Sequence, residues 1–182
     1  MNYVENLVSV EGGYGRTGSR SPMQWDSSTN AGFSSAPAEK LYIPLDPSAK
    51  RPTVESQQQN KKSLYHEIQK LIKIRQEHPA LQSRGEIEFV FAKKNEYPLA
   101  YVRSCGNMTE AGKNQPGEKI LVIINPSEKE TVFSCDLEKL SGASGDSTDL
   151  LKNAIYTFGG KIRFDGKKIF VAGKSAGFFK LS

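Results

Sequence analysis

Few side chains in this chain have the type and spacing that catalysis requires. The two histidines, His66 and His78, have no serine or cysteine beside them in a recognised nucleophile motif. We interpret His66 as a structural or surface residue. His78 precedes Pro79, which suits a charge or cap at the end of a helix. Histidine-based catalysis is therefore not predicted.

Carboxylates that could work as a catalytic pair are not evident either. Asp26 suits a turn closed by Ser28, and Asp165 suits a hairpin. No spacing among these residues, Asp46 and Glu67 places two carboxyl groups about 5 Å apart, as a retaining glycosidase requires. We predict no catalytic residue in this chain.

Cofactor and metal motifs are missing from the sequence. The glycine-rich run at residues 12–18 has no strand before it, no helix after it and no Gly-Lys-Ser/Thr ending, so a phosphate-binding loop is not predicted. Cys105 and Cys135 belong to no C-x-x-C or Cys/His cluster, which argues against a zinc site. We expect two free buried thiols, and a single disulfide between them remains open. Neither a cofactor nor a metal ion is predicted.

One stretch, residues 19–26 with the sequence SRSPMQWD, combines unusual side chains. It contains Trp25, the single Trp of the chain, and Arg20, and the glycines and prolines around it predict an irregular loop. A planar guanidinium and an aromatic ring are groups that hold vicinal hydroxyls and cover the face of a sugar. On the residues alone, docking of Trp25 against neighbouring structure is favoured over sugar binding.

The elements that must position this loop change character along the chain. Residues 1–56 have almost no periodicity and carry repeated prolines and glycines, which predicts a long irregular segment. One amphipathic helix is predicted over about residues 57–77, ending at His78 and Pro79. Its apolar face, which we expect to be buried or to mediate self-association, consists of Leu64, Ile68, Leu71 and Ile72.

From residue 84 onwards the apolar residues recur with a period of two, and the spacing of Phe89 and Phe91 suits core residues. Residues 120–124 form a continuous apolar run that suits a strand buried on both faces, whereas residues 105–118 are typical of a polar loop. Gly159-Gly160 and Asp165-Gly166 are pairs that tight hairpin turns favour. The sequence predicts a mainly β fold with seven or eight short strands in an antiparallel sandwich or open barrel.

Charge and hydropathy exclude two classes of partner. The formal net charge is +5, but lysines and arginines are scattered among nearly as many acids, so nucleic-acid binding is not predicted. No apolar run approaches the length of a membrane span, and the first residues lack a signal pattern. We expect no membrane partner and a cytoplasmic location.

Two motifs resemble one enzyme family. Residues 20–26, RSPMQWD, followed by NAGF at residues 30–33, resemble the R-[TS]-P-M-Q-W-[DS]…N-A-G-F stretch of the α-amylase family, glycoside hydrolase family 13. The resemblance is strongest to its oligo-1,6-glucosidase, α-glucosidase and trehalose synthase branch. Residues 71–81, LIKIRQEHPAL, resemble the last helix of the family's catalytic barrel.

The resemblance implies a role for three residues of the loop. In the family this loop follows the eighth strand of a (β/α)₈ barrel, whose active site lies at the carboxyl ends of the strands. Arg20 is implied to bind hydroxyls of the terminal glucose of an α-linked gluco-oligosaccharide. Gln24 and Trp25 are implied to brace the loop against the barrel.

The resemblance also implies a division of the chain and a missing part. Residues 1–83 would be the remnant of the last βα unit of the barrel, and residues 84–182 a Greek-key β-sandwich of the type that forms the amylase C-terminal domain. The family's catalytic carboxylates lie on earlier strands and have no match here. We therefore expect a C-terminal fragment of a retaining α-glucosidase-type glycosidase of carbohydrate metabolism, inactive without its catalytic barrel. The alternative is a stand-alone carbohydrate-binding or interaction module.

Overall fold

The structure is a computed structural model that describes residues 21–108, 114–141 and 152–181. The chain divides into two compact units, Met1–Leu71 and Ile72–Ser182. This division falls inside a helix, and the boundary expected at residues 83 and 84 stays a prediction.

The described part of the first unit is largely irregular, as the sequence predicted. It contains two short 3-10 turns, Thr29–Gly32 and Ala38–Lys40. The helix expected over residues 57–77 ends at Glu77 as predicted, but its expected start and continuity are wrong, because the structure has two helices there, α1 (Val54–Gln59) and α2 (Leu64–Glu77).

Polar side chains account for the break between α1 and α2. Thr53 caps α1, because its hydroxyl accepts from the Ser56 backbone N–H at 3.1 Å while the Ser56 hydroxyl accepts from the Thr53 N–H at 3.0 Å. Asn60 then takes an extended backbone, and its Oδ1 accepts from the Lys62 N–H at 3.0 Å. Asn60 therefore ends α1, because its short side chain competes for backbone hydrogen bonds.

The helix α2 leaves most of its predicted apolar face uncovered. Leu64 is 71% exposed, Ile68 46% and Ile72 52%, and Leu71 is half-buried. Ile74, which lay outside the predicted face, is buried. None of the described helices combines the length and apolar character needed to cross a bilayer.

In the described residues that follow, there are eight antiparallel strands and one short helix, in agreement with the predicted mainly β character. They form a five-stranded sheet in the order β1-β2-β3-β8-β5 and a three-stranded sheet in the order β4-β7-β6. The elements are β1 (Glu86–Phe91), β2 (Leu99–Met108), β3 (Asn114–Asn125), β4 (Thr131–Ser134), α3 (Leu137–Ser141), β5 (Ala154–Phe158), β6 (Ile162–Asp165), β7 (Lys168–Val171) and β8 (Ser175–Lys180).

The main cluster of buried side chains draws on both sheets. The five-stranded sheet contributes Ala100, Val102, Leu121, Ile123 and Phe179, and the three-stranded sheet contributes Phe133, Ile162, Ile169 and Val171. The opposite face of β3 is buried as well, because Ile120 and Val122 form a second cluster with Ala80. The burial of β3 on both faces, expected from its continuous apolar run, is confirmed.

Three expectations about the strands are wrong. Residues 105–118 do not form a loop throughout, because β2 continues to Met108 and pairs there with Asn114 at the start of β3. Gly159-Gly160 is not a hairpin turn, because β5 and β6 belong to different sheets. Gly159, at φ +75°, lets the backbone cross between sheets, and a Cβ there would lie 2.0 Å from the Lys174 carbonyl oxygen.

The third correction concerns Phe89, whose spacing suggested a core residue. A β-bulge lies between Phe89 and Phe91 in the pairing of β1 with β2. The bulge shifts the alternation of side chains, so that Val90 and Phe91 pack against the main cluster while Phe89 is 60% exposed.

A turn at Pro79–Leu81 is fixed to the five-stranded sheet by side chains of two strands. Glu118 of β3 accepts from His78 Nδ1 at 2.6 Å and from the Ala80 backbone N–H at 3.1 Å. Arg103 of β2 donates to the Ala80 carbonyl at 3.0 Å and to the Gln82 carbonyl at 2.6 Å. The end of α2 therefore has a fixed place on this sheet.

Candidate functional site

The candidate site is the described part of the motif loop, residues 21–36. Arg20, the predicted substrate-binding residue, lies outside the described residues. Gln24 and Trp25 lie just before the 3-10 turn Thr29–Gly32. Both loop-supporting roles therefore have to be judged from the contacts of these two residues.

The backbone of the loop, rather than its side chains, makes the observed connection to a helix. The Gln24 carbonyl accepts from the Val54 N–H at 2.8 Å, and the Trp25 carbonyl accepts from the Glu55 N–H at 2.9 Å. Val54 and Glu55 are the first two residues of α1, whose N–H groups have no partner inside the helix. The loop thus completes the hydrogen bonding of the helix that follows it. No sequence signal pointed to this main-chain role.

The side chains of Gln24 and Trp25 do not find supporting partners among the described residues. Gln24 Oε1 is buried and accepts no hydrogen bond from the described part of the chain. Trp25 is 49% exposed. Their predicted bracing function stays a prediction.

Asp26 closes the next turn. Its Oδ1 accepts from the Ser28 backbone N–H at 2.8 Å and from the Ser28 hydroxyl at 2.5 Å. These two bonds, the side-chain bond first, hold the pKa of the Asp26 carboxyl below its ordinary value. Asp26 is ionised near neutral pH and cannot serve there as a proton donor. The turn with Ser28, predicted from spacing, is confirmed.

Asn30 organises the second half of the loop. It is buried, and its Nδ2 donates to the Ser34 carbonyl at 2.9 Å and to the Ala36 carbonyl at 2.6 Å. Asn30 and the next two residues, Ala31 and Gly32, all have positive φ, of 52°, 54° and 70°. Asparagine and glycine adopt this conformation at little cost, whereas alanine rarely does.

Gly32 is required by the space around it as well as by its φ. A Cβ at this position would lie 2.7 Å from an oxygen of the Asp26 carboxylate. The Ala31 carbonyl, one residue earlier, accepts from the N–H groups of Trp25 and Asp26 at 2.9 and 3.3 Å. These contacts explain the spacing between Asp26 and the Asn-Ala-Gly triplet of the motif, because the backbone of the triplet folds back onto Trp25 and Asp26.

The apolar side chains of this loop point the other way. Met23, Trp25 and Phe33 are 50%, 49% and 49% exposed, while the polar side chains of Asp26 and Asn30 are engaged within the loop. Three large apolar side chains exposed on one short loop suit a loop that covers an apolar surface elsewhere.

Other candidate groups have structural roles. His66 contacts the Gln58 carbonyl through Nε2 at 2.9 Å and the Gln69 amide oxygen through Nδ1 at 3.2 Å. His78 contacts Glu118, as described above. Across the described residues, no three His, Cys, Asp or Glu side chains cluster in a way that could hold a metal ion. Cys135 is buried and Cys105 half-buried, and both are free thiols.

Comparison with known proteins places this loop in a family context. Residues 2–84 match the family model described as alpha amylase, catalytic domain. The chain is 34% identical over 119 residues to an oligo-1,6-glucosidase of Parageobacillus thermoglucosidasius, covering 65% of this chain and 18% of that enzyme. It is 30% identical over 133 residues to a trehalose synthase of Thermus thermophilus, covering 70% of this chain and 12% of the relative.

Solved structures share the fold. The trehalulose synthase of Pseudomonas mesoacidophila MX-45 superposes with a TM-score of 0.65 at 24% identity, covering 91% of this chain and 26% of that one. A mutant of the trehalulose synthase, solved in complex with its substrate sucrose, matches with the same TM-score and identity. The chain spans a fifth or less of the length of the two curated relatives named above. Residues 2–84 belong to the alpha-amylase family, glycoside hydrolase family 13, and the chain has oligo-1,6-glucosidases and a trehalose synthase among its relatives.

Proposed function

We propose that this chain is the C-terminal part of a retaining α-glucosidase-type enzyme, and that it works only with a catalytic barrel that supplies the reacting carboxylates. The observation that carries the proposal is the construction of the motif loop. The side chains of Asp26 and Asn30 form hydrogen bonds within the loop, whereas the side chains of Met23, Trp25 and Phe33 are about half exposed. A surface belonging to the rest of the barrel would cover these three side chains.

The carboxyl group within the motif, that of Asp26, also favours catalytic carboxylates that lie outside this chain. Asp26 is held ionised by two hydrogen bonds from Ser28, so it does not supply a catalytic proton. A retaining mechanism requires a nucleophilic carboxylate and a second carboxyl group that is protonated at the start. Both would come from polypeptide outside these 182 residues.

Arg20 is the residue that we assign to the substrate, an α-linked gluco-oligosaccharide. Its guanidinium would donate to hydroxyls of the terminal glucose, while Gln24 and Trp25 hold the loop on the barrel. The buried Oε1 of Gln24 has no donor among the described residues, so in this proposal its donor comes from polypeptide outside them.

In this proposal residues 84–182 form a Greek-key β-sandwich of the amylase C-terminal type. Two antiparallel sheets that share one buried cluster support this interpretation. The exposed face of α2, with Leu64, Ile68 and Ile72, would pack against the barrel in the intact enzyme and against a second copy in the isolated chain. A monomer in light scattering across a wide concentration range would contradict the self-association.

The stand-alone sugar-binding alternative is not supported by the exposed aromatics. Phe89 is exposed beside Tyr101, but the two rings meet at 66° with their centroids 6.2 Å apart. They do not make a flat platform for a sugar ring.

The test is a chimera in which this chain replaces the matching part of the Parageobacillus thermoglucosidasius oligo-1,6-glucosidase. We expect the chimera to hydrolyse an aryl α-glucoside, and the isolated chain to give no turnover above buffer. In the chimera, Arg20→Ala should lower kcat/KM on the order of tenfold to a hundredfold, since a hydrogen bond from a charged group is lost.

Arg163→Ala provides the matched control, because Arg163 lies on the three-stranded sheet and pairs with Glu130 at 3.0 Å. Turnover by the isolated chain, or a folded chimera without activity, would contradict the proposal.

A further inference from the structure

A cavity of about 300 Å³ lies on the outer face of the five-stranded sheet. Tyr101 and Arg103 line it from β2, Ile87 from β1, Arg75 from α2, and Ser83 from the segment between α2 and β1. All of these residues belong to the second unit.

The strand pairing places three of these side chains next to one another. Tyr101 and Arg103 are two residues apart on β2, so their side chains share one face of the sheet. Ile87 of β1 pairs with Arg103 and lies on the same face. Val102, between Tyr101 and Arg103, belongs to the main buried cluster, so the cavity lies on the face that points away from this cluster.

The guanidinium group of Arg103 is held in a fixed orientation. Its Nε donates to the Ala80 carbonyl at 3.0 Å and its Nη2 to the Gln82 carbonyl at 2.6 Å. Gly85 lies close beside it, since a Cβ at Gly85 would be 2.8 Å from Nη2. Both acceptors are neutral carbonyls. Within the described parts of the chain, the charge of Arg103 therefore has no carboxylate partner, and its Nη1 makes no hydrogen bond.

Arg75 brings a second guanidinium group to the cavity. It is exposed in the last turn of α2, where a positive charge suits the helix dipole. The nearby carboxylate of Glu77 pairs with Lys73 at 3.7 Å. The Arg75 side chain has neither a hydrogen bond nor an ion pair with any described residue. Two positive charges without counter-charges therefore line one cavity.

Two hydroxyl groups add neutral donors. Burial raises the pKa of the Tyr101 phenol, against the smaller opposite effect of Arg103, so the phenol keeps its proton near neutral pH. The hydroxyls of Tyr101 and Ser83 have no hydrogen-bond partner among the described residues. None of the described residues that line the cavity is an Asp or a Glu. The lining is therefore rich in donors, and its charges are positive.

We propose that this cavity binds a phosphate group, either as free phosphate or as the phosphate of a small monoester. A guanidinium group presents its N–H groups in a planar fork that matches the oxygens of phosphate. Arg75 offers its whole fork, and Arg103 offers the nitrogen that the carbonyls leave free. The hydroxyls of Tyr101 and Ser83 donate to the remaining oxygens. Ile87 supplies an apolar wall for the organic part of a monoester.

The charge and volume of the cavity favour this class of ligand over others. Two guanidinium groups repel a metal cation, and a neutral ligand would leave their charges without a counter-charge. A carboxylate carries one negative charge, whereas a phosphate monoester carries about 1.5 to 2 near pH 7 and has more acceptor oxygens. A volume near 300 Å³ lies at the small end of ligand pockets, which suits a small monoester.

The experiment is an NMR titration of the full 182-residue chain at pH 7 with sodium phosphate and with glycerol 3-phosphate. Sodium acetate and sodium chloride at the same ionic strength are titrated for comparison. We expect both phosphates to cause saturable shifts at the amides of Ser83, Ile87 and Arg103, and the other two salts to cause much smaller shifts.

Two variants test the donors. Arg75→Gln should weaken phosphate binding on the order of tenfold, since hydrogen bonds from a charged group are lost. Arg75 is exposed and has no partner among the described residues, so the fold should be kept. Tyr101→Phe removes a neutral donor and leaves both charges in place. It should weaken binding on the order of threefold.

The matched control is Arg84→Gln, which removes the same charge from an exposed residue next to Ser83 that does not line the cavity. It should change the affinity by less than about twofold, because salt screens exposed charges. Shifts that do not saturate, an equal response to acetate, or equal weakening by Arg84→Gln and Arg75→Gln would each overturn the proposal. Turnover of the chimera measures the proposed catalytic partnership, so either idea can fail without the other.

Discussion

The two units of this chain use apolar side chains in opposite ways. Among the described residues of the first unit, the buried apolar side chains are those of Pro22, Ala31 and Ile43, while Met23, Trp25 and Phe33 are about half exposed. In the second unit a cluster that includes Phe179, Leu121 and Ile169 is excluded from water. Since burial of apolar surface is the main stabilising contribution to folding, the second unit has the means to fold by itself.

The polar groups differ in a parallel way. The first unit is held by Asn30, Asp26 and the capping of α1, whose hydrogen bonds each contribute little net free energy. The second unit combines its apolar core with the Glu118 and Arg103 bonds to the turn at Pro79–Leu81. The contrast agrees with our proposal that the loop packs against a surface outside this chain.

Removing one large aromatic from each unit gives the largest expected contrast. Phe179→Ala empties a fully buried position, where Phe179 meets Phe164 with centroids 5.1 Å apart. We expect it to lower the free energy of unfolding by about 3–5 kcal/mol. Trp25→Ala should change it by less than about 0.5 kcal/mol, because Trp25 is half exposed. Urea unfolding followed by circular dichroism measures the unfolding free energy of both variants. Equal losses would contradict the contrast between the two units.

Loss of the Glu118 hydrogen bonds to His78 and Ala80 gives the next largest expected loss of stability. Glu118→Ala leaves His78 without its carboxylate partner and the buried Ala80 N–H without an acceptor. We expect a loss of about 2–3 kcal/mol in unfolding free energy. Glu130→Ala, which breaks an exposed pair with Arg163, should cost less than about 1 kcal/mol. Similar losses for the two variants in the same urea experiment would argue against a special role for Glu118.

Asn30 tests whether the polar network of the loop is independent of the second unit. Asn30→Ala removes two hydrogen bonds. It also places alanine at φ 52°, a backbone conformation that asparagine tolerates better. We expect a local loss of about 1–2 kcal/mol, seen as faster hydrogen exchange at Trp25 and Phe33. Asn30→Gly keeps the backbone freedom and should lose less. Amides of β3 should stay unchanged in both variants, and a change there would show that the units are coupled.

The smallest effect is the pH dependence contributed by Cys135. The pKa of this thiol is raised from 9.0 to about 11, mainly by burial. In the unfolded chain the thiol loses its proton first, so stability falls as pH rises from about 9 to about 11. Cys135→Ala should remove part of this slope, as judged by thermal unfolding of both proteins from pH 8 to pH 11. Identical slopes would contradict the assignment.

Local signals were sufficient to predict much of the fold and part of the site. The continuous apolar run of β3 predicted its burial on both faces, and the spacing of Asp26 and Ser28 predicted their turn. The burial of β3 follows from the hydrophobicity of its run, and the turn follows from an interaction between residues two positions apart. The exposure of Phe89 could not be predicted, because it depends on a bulge in the pairing with β2.

What the sequence determined by itself is the family of residues 2–84, the mainly β character and the turn of Asp26 with Ser28. These features rest on residue identities that act within a few positions of one another. Only the tertiary structure decided that Gln24 and Trp25 serve α1 through their carbonyls, that the chain changes sheets at Gly159, and that Arg75 and Arg103 line one cavity. Each of these depends on which distant strand or helix comes into contact, and that choice is made by packing of the whole unit.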